Sequence, residues 1–571
     1  MLRKLTLIVG VCCSAVCAQA QNLEAIGREK ALTVSGGVSL SQIVYAVDGI
    51  ESRRDPYSYY ASGNINFSLY GWNVPLSFSV SNQNTSFQQP FNQYSLHPTY
   101  KSVTGHFGYN SMSFSPYTVN GHIFLGAGVD VAPQQGKFKF SGLYGRFLKA
   151  VEPDTLAENP VTPAFQRMGY GMKATYGDGK DFVDVIMFHA KDDMHSIRYV
   201  PEDEGILPEE NLVMSIGGGK AIAEHFLLRA ELSASALSRD TRTEKTSQSH
   251  PLAKTGFLYT PRLSSSYYKA FKTSLNYQDD GYSIGVAYER IDPQYRTLGS
   301  YYFNNDLENI TANGTVAMVS GRVNVAVNAG TQRDNLDGSK VSTMRRFVGS
   351  ANVGYAPSQK VNLTASYSNF QTYTNIRSKF VDINQLTPYD NLDTLNYMQV
   401  SQNATLTGMY TFGANPNKRQ SVNVNLTFQD AADKQGDVEQ NTGSQFYNVN
   451  AAYALSIVPK NVMLSAAFNA TITEGIGAST KTLGPTLAVS KSFFEKKLRA
   501  TLSSSYNETY ANSSRINTII NVRVGGGLTV QKKHNINLSV VGVNRSSQQE
   551  GASQDFTEFT GTLGYAYSFG R

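Results

Sequence analysis

Side chains along most of this chain alternate apolar and polar, in segments of about ten to fourteen residues that break at turn residues. In residues 226–238, Phe226, Leu228, Ala230, Leu232, Ala234 and Ala236 alternate with Leu227, Arg229, Glu231, Ser233, Ser235 and Leu237. Successive strand side chains point to opposite faces, so such a segment is a strand with one apolar side and one wet side. The pattern recurs where Val422, Val424, Leu426 and Phe428 oppose Ser421, Asn423, Asn425 and Thr427, and where Tyr447, Val449 and Ala451 oppose Asn448, Asn450 and Ala452. Soluble sandwiches alternate too, but their strands average about five or six residues. Segments of the length seen here suit a tilted membrane strand of roughly 9–11 residues.

The connections alternate in length. Short turns such as Asp279-Asp280-Gly281, Pro357-Ser358-Gln359 and Pro459-Lys460-Asn461 carry the residues that tight turns need. Long polar stretches lie between them, at 148–166, 193–210, 239–262, 292–309, 374–396 and 430–443. With the N-terminus in the periplasm, every long stretch falls on the outer side. The expected fold is therefore all-β: a single antiparallel transmembrane β-barrel over residues 32–571, with short periplasmic turns and long extracellular loops. Counting segments predicts about 26 strands, with about 24 as the alternative. The ambiguity lies at residues 100–131, where Pro116 cannot donate to a central ladder. That stretch reads as two short strands or as a segment folded into the lumen. Tyr267, Tyr268, Tyr301, Tyr302, Phe303, Tyr506 and Tyr510 gather near strand ends, as aromatic belts at a membrane interface do.

The N-terminus reads as a cleaved signal peptide over residues 1–20. Arg3 and Lys4 precede a short apolar run, and Ala18-Gln19-Ala20 forms an A-x-A cleavage site. Cys17 raises a lipoprotein reading, but Val16 stands where such signals need a small residue. Residues 21–31 then form a short periplasmic segment, too short for a plug or for a periplasmic domain at the N-terminus. All 3 cysteines precede the cleavage site, so disulfides and thiolate chemistry are excluded from the mature chain. Without Arg3 and Lys4 the net charge drops from +6 to +4, with no basic tract, which gives no reason to expect nucleic acid as a partner.

At the other end, Phe559, Gly561, Leu563, Tyr565, Tyr567 and Phe569 share one face of the last segment. The aromatic alternation of Tyr565, Tyr567 and Phe569 resembles the signal by which outer-membrane insertion machinery recognises its clients. A second resemblance rests on Gly105-His106-Phe107-Gly108-Tyr109, Ser113-Phe114-Ser115-Pro116-Tyr117, Phe124-Leu125-Gly126-Ala127-Gly128-Val129 and Gly142-Leu143-Tyr144-Gly145-Arg146. In these the chain is similar to large, plug-less outer-membrane β-barrels of the Bacteroidota type. The similarity covers the first quarter of the chain and brings no catalytic or ligand residue with it.

Candidate chemistry is sparse. Asp192-Asp193-Met194-His195 resembles the Asp-x-His element of the omptin surface proteases, where a carboxylate orients a histidine that activates water. That chemistry needs a second acidic pair across a narrow barrel mouth, and the sequence identifies none. Gly217-Gly218-Gly219-Lys220 lacks the spacing of a phosphate-binding loop, and Asp334 to Gly338 lacks the terminal Glu of a calcium loop. No cofactor or metal site is expected, and no enzymatic activity. The expected lumen-facing residues are Arg229, Glu231, Asn423, Asn425, Asn448 and Asn450.

A barrel this wide leaves an aqueous lumen unless something fills it. Loops 151–165 and 239–262 are the expected lids, or else a partner protein plugs or caps the lumen. The expected function is a pore or translocon for solutes or secreted macromolecules in the cell outer membrane. A structural scaffold of an outer-membrane complex is the alternative, and a surface hydrolase a third reading. Expected partners are outer-membrane lipid and lipopolysaccharide, the insertion machinery, and the plugging or capping protein.

Overall fold

Each strand of the main sheet pairs antiparallel with the strands before and after it in the chain. The computed structural model describes residues 32–82, 92–134, 136–153, 163–198, 206–301, 303–339, 345–369, 372–375, 397–413, 415–431, 434–435, 438–439, 444–475, 478–548 and 555–570. The expected signal peptide and the segment 21–31 lie outside these residues, apart from their boundary with the first strand.

The sheet closes on itself. The last strand, Phe556–Phe569, pairs with the first, Leu32–Asp48, placing Tyr567 opposite Val38 and Phe559 opposite Ala46. The main sheet contains 28 ladder segments. Gln93–Leu96 and Thr99–Tyr100 together fill one position in the wall, as do Val361–Ser368 and Thr372–Asn375, so the barrel has 26 strands. Closure pairs the edges that an open sheet would leave bare, which is the condition for a sheet to cross lipid. Among the described residues no helix is long and apolar enough to cross a membrane.

Alternation assigns the two faces. On Phe226–Ser238 and its neighbours, Val185, Ile216 and Leu232 share one face and are 50%, 55% and 48% exposed. Large apolar side chains left bare in this way are what a lipid-facing wall presents. The opposite face is the inner one, and a bond across the barrel proves it. Tyr117, between Val103–Ser113 and Asn120–Val131, hydrogen-bonds through its hydroxyl to Glu289 on Tyr282–Ile291, seven strands further on. At about 4.8 Å per strand the path along the wall exceeds roughly 30 Å. The short connection 114–119 cannot follow the convex outside that far, so it crosses the interior.

The connection around Pro116 is thus both things the sequence left open. Val103–Ser113 and Asn120–Val131 are separate strands, and the segment joining them folds into the lumen. The strand ends that flank the long connections lie at one end of the barrel, as expected, while tight turns close the other. Ala223 and Glu224, for example, hold φ of 48° and 62° in the turn before Phe226.

The Gly-aromatic stretches of the first quarter acquire a packing role. A Cβ on Gly169 would lie 2.8 Å from the Phe147 ring, and one on Gly145 would lie 2.7 Å from the Phe124 ring. A Cβ on Gly171 would sit 3.1 Å from Phe114 and 3.3 Å from Phe188. These glycines form a floor on which inward rings lie flat against the wall. Gly169→Val should therefore overpack the site by about 1–3 kcal/mol. The check is a lower thermal unfolding midpoint than that of a Val placed at Gly542, a strand position with nothing within 4 Å.

Candidate functional site

Two inward connections meet in the lumen. Residues 114–119 approach from one side and residues 292–306 from the other, and Val119 forms a parallel bridge with Gly299. The amide of Asn120 donates to the Gly299 carbonyl at 3.0 Å. Tyr295 donates from its hydroxyl to the Tyr117 carbonyl at 2.8 Å, and Thr297 to the Thr118 carbonyl at 2.6 Å. The wall holds this latch in turn. Asn211 accepts from the Leu298 amide at 3.1 Å, Ser235 donates to the Arg296 carbonyl at 2.7 Å, and Lys173 donates to the Phe114 carbonyl at 3.1 Å.

Under the polar contacts lies an apolar core inside the barrel, where Phe114, Val119, Phe124, Phe147, Phe188 and Leu298 are all buried. A second cluster joins Tyr117 and Tyr295 with Ala270 and Ile291, and Phe303 packs on it. Burial first, then the Glu289 carboxylate, raises the Tyr117 phenol far above its ordinary pKa; burial does the same to Tyr295. Both stay protonated and act as donors.

Above the latch, a cavity of about 550 Å³ opens at the long-loop end, lined by Leu148, Phe165, Leu237 and the ion network of Arg167. Arg167 grips Asp192 with both arms of its guanidinium, at 2.7 and 2.8 Å, and reaches Glu209 at 3.0 Å. Arg296 of the latch closes on Glu209 at 2.6 Å. Such bidentate pairs fix geometry as well as charge. Asp192 is thereby committed to Arg167, and Asp193 accepts from the backbone amide of His195 at 3.0 Å. Neither carboxylate bonds to the His195 ring among the described residues. Among the described residues, no group of three or more His, Asp or Glu is placed to hold a metal.

Below the latch, Arg229 and Glu231 line a recess of about 280 Å³ with Asp184 and Lys272. Ser215 donates to Glu231 at 2.8 Å. The four asparagines occupy a different sector. Asn425 lies opposite Asn450, Asn448 opposite Thr427, and Asn423 opposite Ala452. Asn425 donates to Thr407 at 2.7 Å, Asn448 donates to Thr471 at 2.9 Å, and Asn450 donates to Asn469.

Strand register extends these pairs into a belt that no local reading could assemble. Ser283, Thr315, Ala326, Asn352, Ser366, Thr405, Thr427, Asn448, Thr471, Thr482 and Thr509 are each opposite the next on successive strands. On the same face stand Arg419, Arg499 and Arg523, and among the described residues none of them pairs with a carboxylate. The first half of the lumen is thus packed with rings and closed by the latch. The second half is lined by hydroxyls, amides and these guanidinium groups.

Two sequence expectations need correction, and a third lies outside the described residues. Loop 239–262 does not lid the lumen: Leu252 and Tyr259 bury against Met187, Leu212 and Ala236, which lie on the outer face. Of loop 151–165, residues 154–162 lie outside the described residues; its ends meet at Val151 and Ala164. Tyr268, Tyr301 and Phe303 are not belt aromatics, because Tyr268 and Phe303 pack on the Tyr117 cluster and Tyr301 stacks on His122 at 3.9 Å. Tyr267 packs beneath loop 239–264 on the outer face, and Tyr302 lies outside the described residues. Tyr506 and Tyr510 do lie on the outer face, both bonded to Glu508. Tyr565, Tyr567 and Phe569 lie on the outer face of the closing strand, where His534 stacks beside Tyr565 and Tyr567.

Fold and lumen define a class: this is a membrane-spanning β-barrel of 26 strands. No protein-family model matches the chain, and no curated protein does. Among solved structures it is similar to the translocation pore of the P pilus usher PapC, with 9% identity, 94% of this chain and 100% of that one covered, and a TM-score of 0.38. It is also similar to the FrpB iron transporter from Neisseria meningitidis, with 11% identity, 94% and 82% covered, and a TM-score of 0.38. Against OprD from Pseudomonas aeruginosa the values are 9%, 94% and 94%, and 0.30. At these scores the count and closure stand on the chain's own pairings.

Proposed function

We propose that the chain is an outer-membrane pore, of the Bacteroidota type its Gly-aromatic stretches resemble, that passes solutes along the polar half of its lumen. The carrying observation is the division of the lumen: a latched, ring-filled sector beside a belt of hydroxyl and amide side chains interrupted only at Ala326. A wall of neutral hydrogen-bonding groups suits hydrated solutes, because it replaces lost water contacts without binding tightly. Export through a cleaved signal peptide and insertion through the aromatic last strand belong to the same proposal.

Purified protein in planar bilayers tests it. Stable conductance without partners supports the pore; silence together with a stoichiometric partner pulled from native membranes supports the scaffold alternative or a plugging protein instead. The unpaired guanidinium groups add a sign. In about 0.01 M salt, where the Debye length is about 30 Å, the reversal potential should show anion preference. Replacing Arg419, Arg499 and Arg523 with Gln should move it toward cations. An unchanged reversal potential would mean that these side chains do not face the conducting path.

A further inference from the structure

Loops of a membrane barrel ordinarily rise from the wall or turn into the lumen. Residues 239–264 instead fold down the outside. They form an ordered hairpin, with Thr246 donating to the Pro261 carbonyl at 3.0 Å, Leu263 to the Glu244 carbonyl at 3.0 Å, and a bridge between Lys245 and Arg262. Tyr259 shares its hydroxyl with Ser238 and Ser265 at 2.7 and 2.8 Å, and the short helical turn Pro251–Lys254 is capped by His250, which stacks on Tyr267 at 4.0 Å. Leu252 and Tyr259 cover wall residues that would otherwise face lipid.

The side turned away from the wall is unlike the rest of the hairpin. Phe257 is 88% exposed and Leu263 is 67% exposed. On the same hairpin exposed Lys254 lies three residues before Phe257, exposed Lys245 bridges Arg262 next to Leu263, and Lys269 stands on the outer face of the wall two residues beyond Tyr267. Nearby acids are largely engaged: Asp240 holds Arg242 at 2.9 Å, and Glu210 lies under the hairpin with Lys191 at 3.3 Å. Glu244 is the exposed acid of the group. Apolar side chains set among cations, just below the outer ends of the strands, match a lipid that carries phosphates directly above its acyl chains.

We propose that this hairpin is a binding collar for a phosphorylated glycolipid of the lipopolysaccharide type, with Phe257 and Leu263 entering the acyl region and Lys245, Lys254 and Lys269 meeting the phosphates. The proposal rests on the outer-membrane part of the reading above but not on conduction. Near an anionic lipid surface each cation contributes about fivefold in binding.

The test uses the full-length protein reconstituted into phosphatidylcholine vesicles containing lipid A, extracted in detergent and assayed for retained lipid A by mass spectrometry. The wild type should retain lipid A near one per chain. The triple variant Lys245→Gln, Lys254→Gln, Lys269→Gln should bind roughly a hundredfold more weakly, Phe257→Ser should also lose retention, and dephosphorylated lipid A should not be held by any of them. Equal retention by wild type and variants, or none by the wild type, overturns the proposal. So does a dimer that Phe257→Ser converts to monomer, because the occupant is then a second copy. Conductance in bilayers without lipid A should be unchanged in the variants. A barrel that retains lipid A without conducting defeats the pore reading and leaves the collar standing.

Discussion

Leu298→Asp should open the lumen, raising single-channel conductance severalfold over the wild type and adding slow fluctuations. Leu298 is 2% exposed among Phe114, Phe147 and Phe188. A carboxylate there would be buried among these rings, and an uncompensated buried charge costs about 3–5 kcal/mol. Against that, the latch holds by a few hydrogen bonds, each worth about 1 kcal/mol net, and by its apolar contacts, which the same substitution breaks. The wall should survive, because the ladder from Leu32–Asp48 round to Phe556–Phe569 contains none of the latch. The variant should therefore still run as a folded, heat-modifiable barrel. Thr297→Val removes the bond to the Thr118 carbonyl and the one accepted from the Gly299 amide, about 2 kcal/mol together, and should change conductance less than Leu298→Asp. If Leu298→Asp conducts like the wild type, the latch does not gate the path.

The second large effect separates the two faces of one hairpin. Val286→Arg should abolish or strongly reduce assembly into membranes, whereas Thr315→Arg on the neighbouring strand should assemble normally. Val286 lies midway along Tyr282–Ile291 and is 56% exposed on the outer face. Thr315 bonds to Ser283 at 2.7 Å on the inner one. An arginine on the lipid face near mid-membrane costs about 2–4 kcal/mol, while a lumen position keeps its charge in water. Folding yields into vesicles, read by the shift between heated and unheated protein on a gel, measure both. Equal yields would mean that the faces are assigned the wrong way round.

Much of this barrel was legible before any coordinates. A residue's face depends on its parity within a strand, so alternation alone separates Leu232 from Glu231 and Val424 from Asn425. The turns mark strand ends for the same local reason, and the count follows from them. Aromatic residues were the weaker guide. Tyr267 and Tyr268 are adjacent and must point to opposite faces, so a cluster of rings near a strand end cannot all belong to one belt.

What the chain determines by itself, then, is the strand, its two faces and the end at which the long connections lie, because each depends on a period of two and on short turns. Tertiary structure alone decides which residues become neighbours across strands and which surface a loop chooses. The row from Ser283 to Thr509 exists because ten registers agree. The latch exists because residues 114–119 and 292–306, far apart in the chain, fit over the same glycine floor. Loop 239–264 covers the outer wall because Leu252 and Tyr259 find Met187 and Leu212 there. These contacts depend on shape across the closed barrel, a property that no local pattern of residues contains.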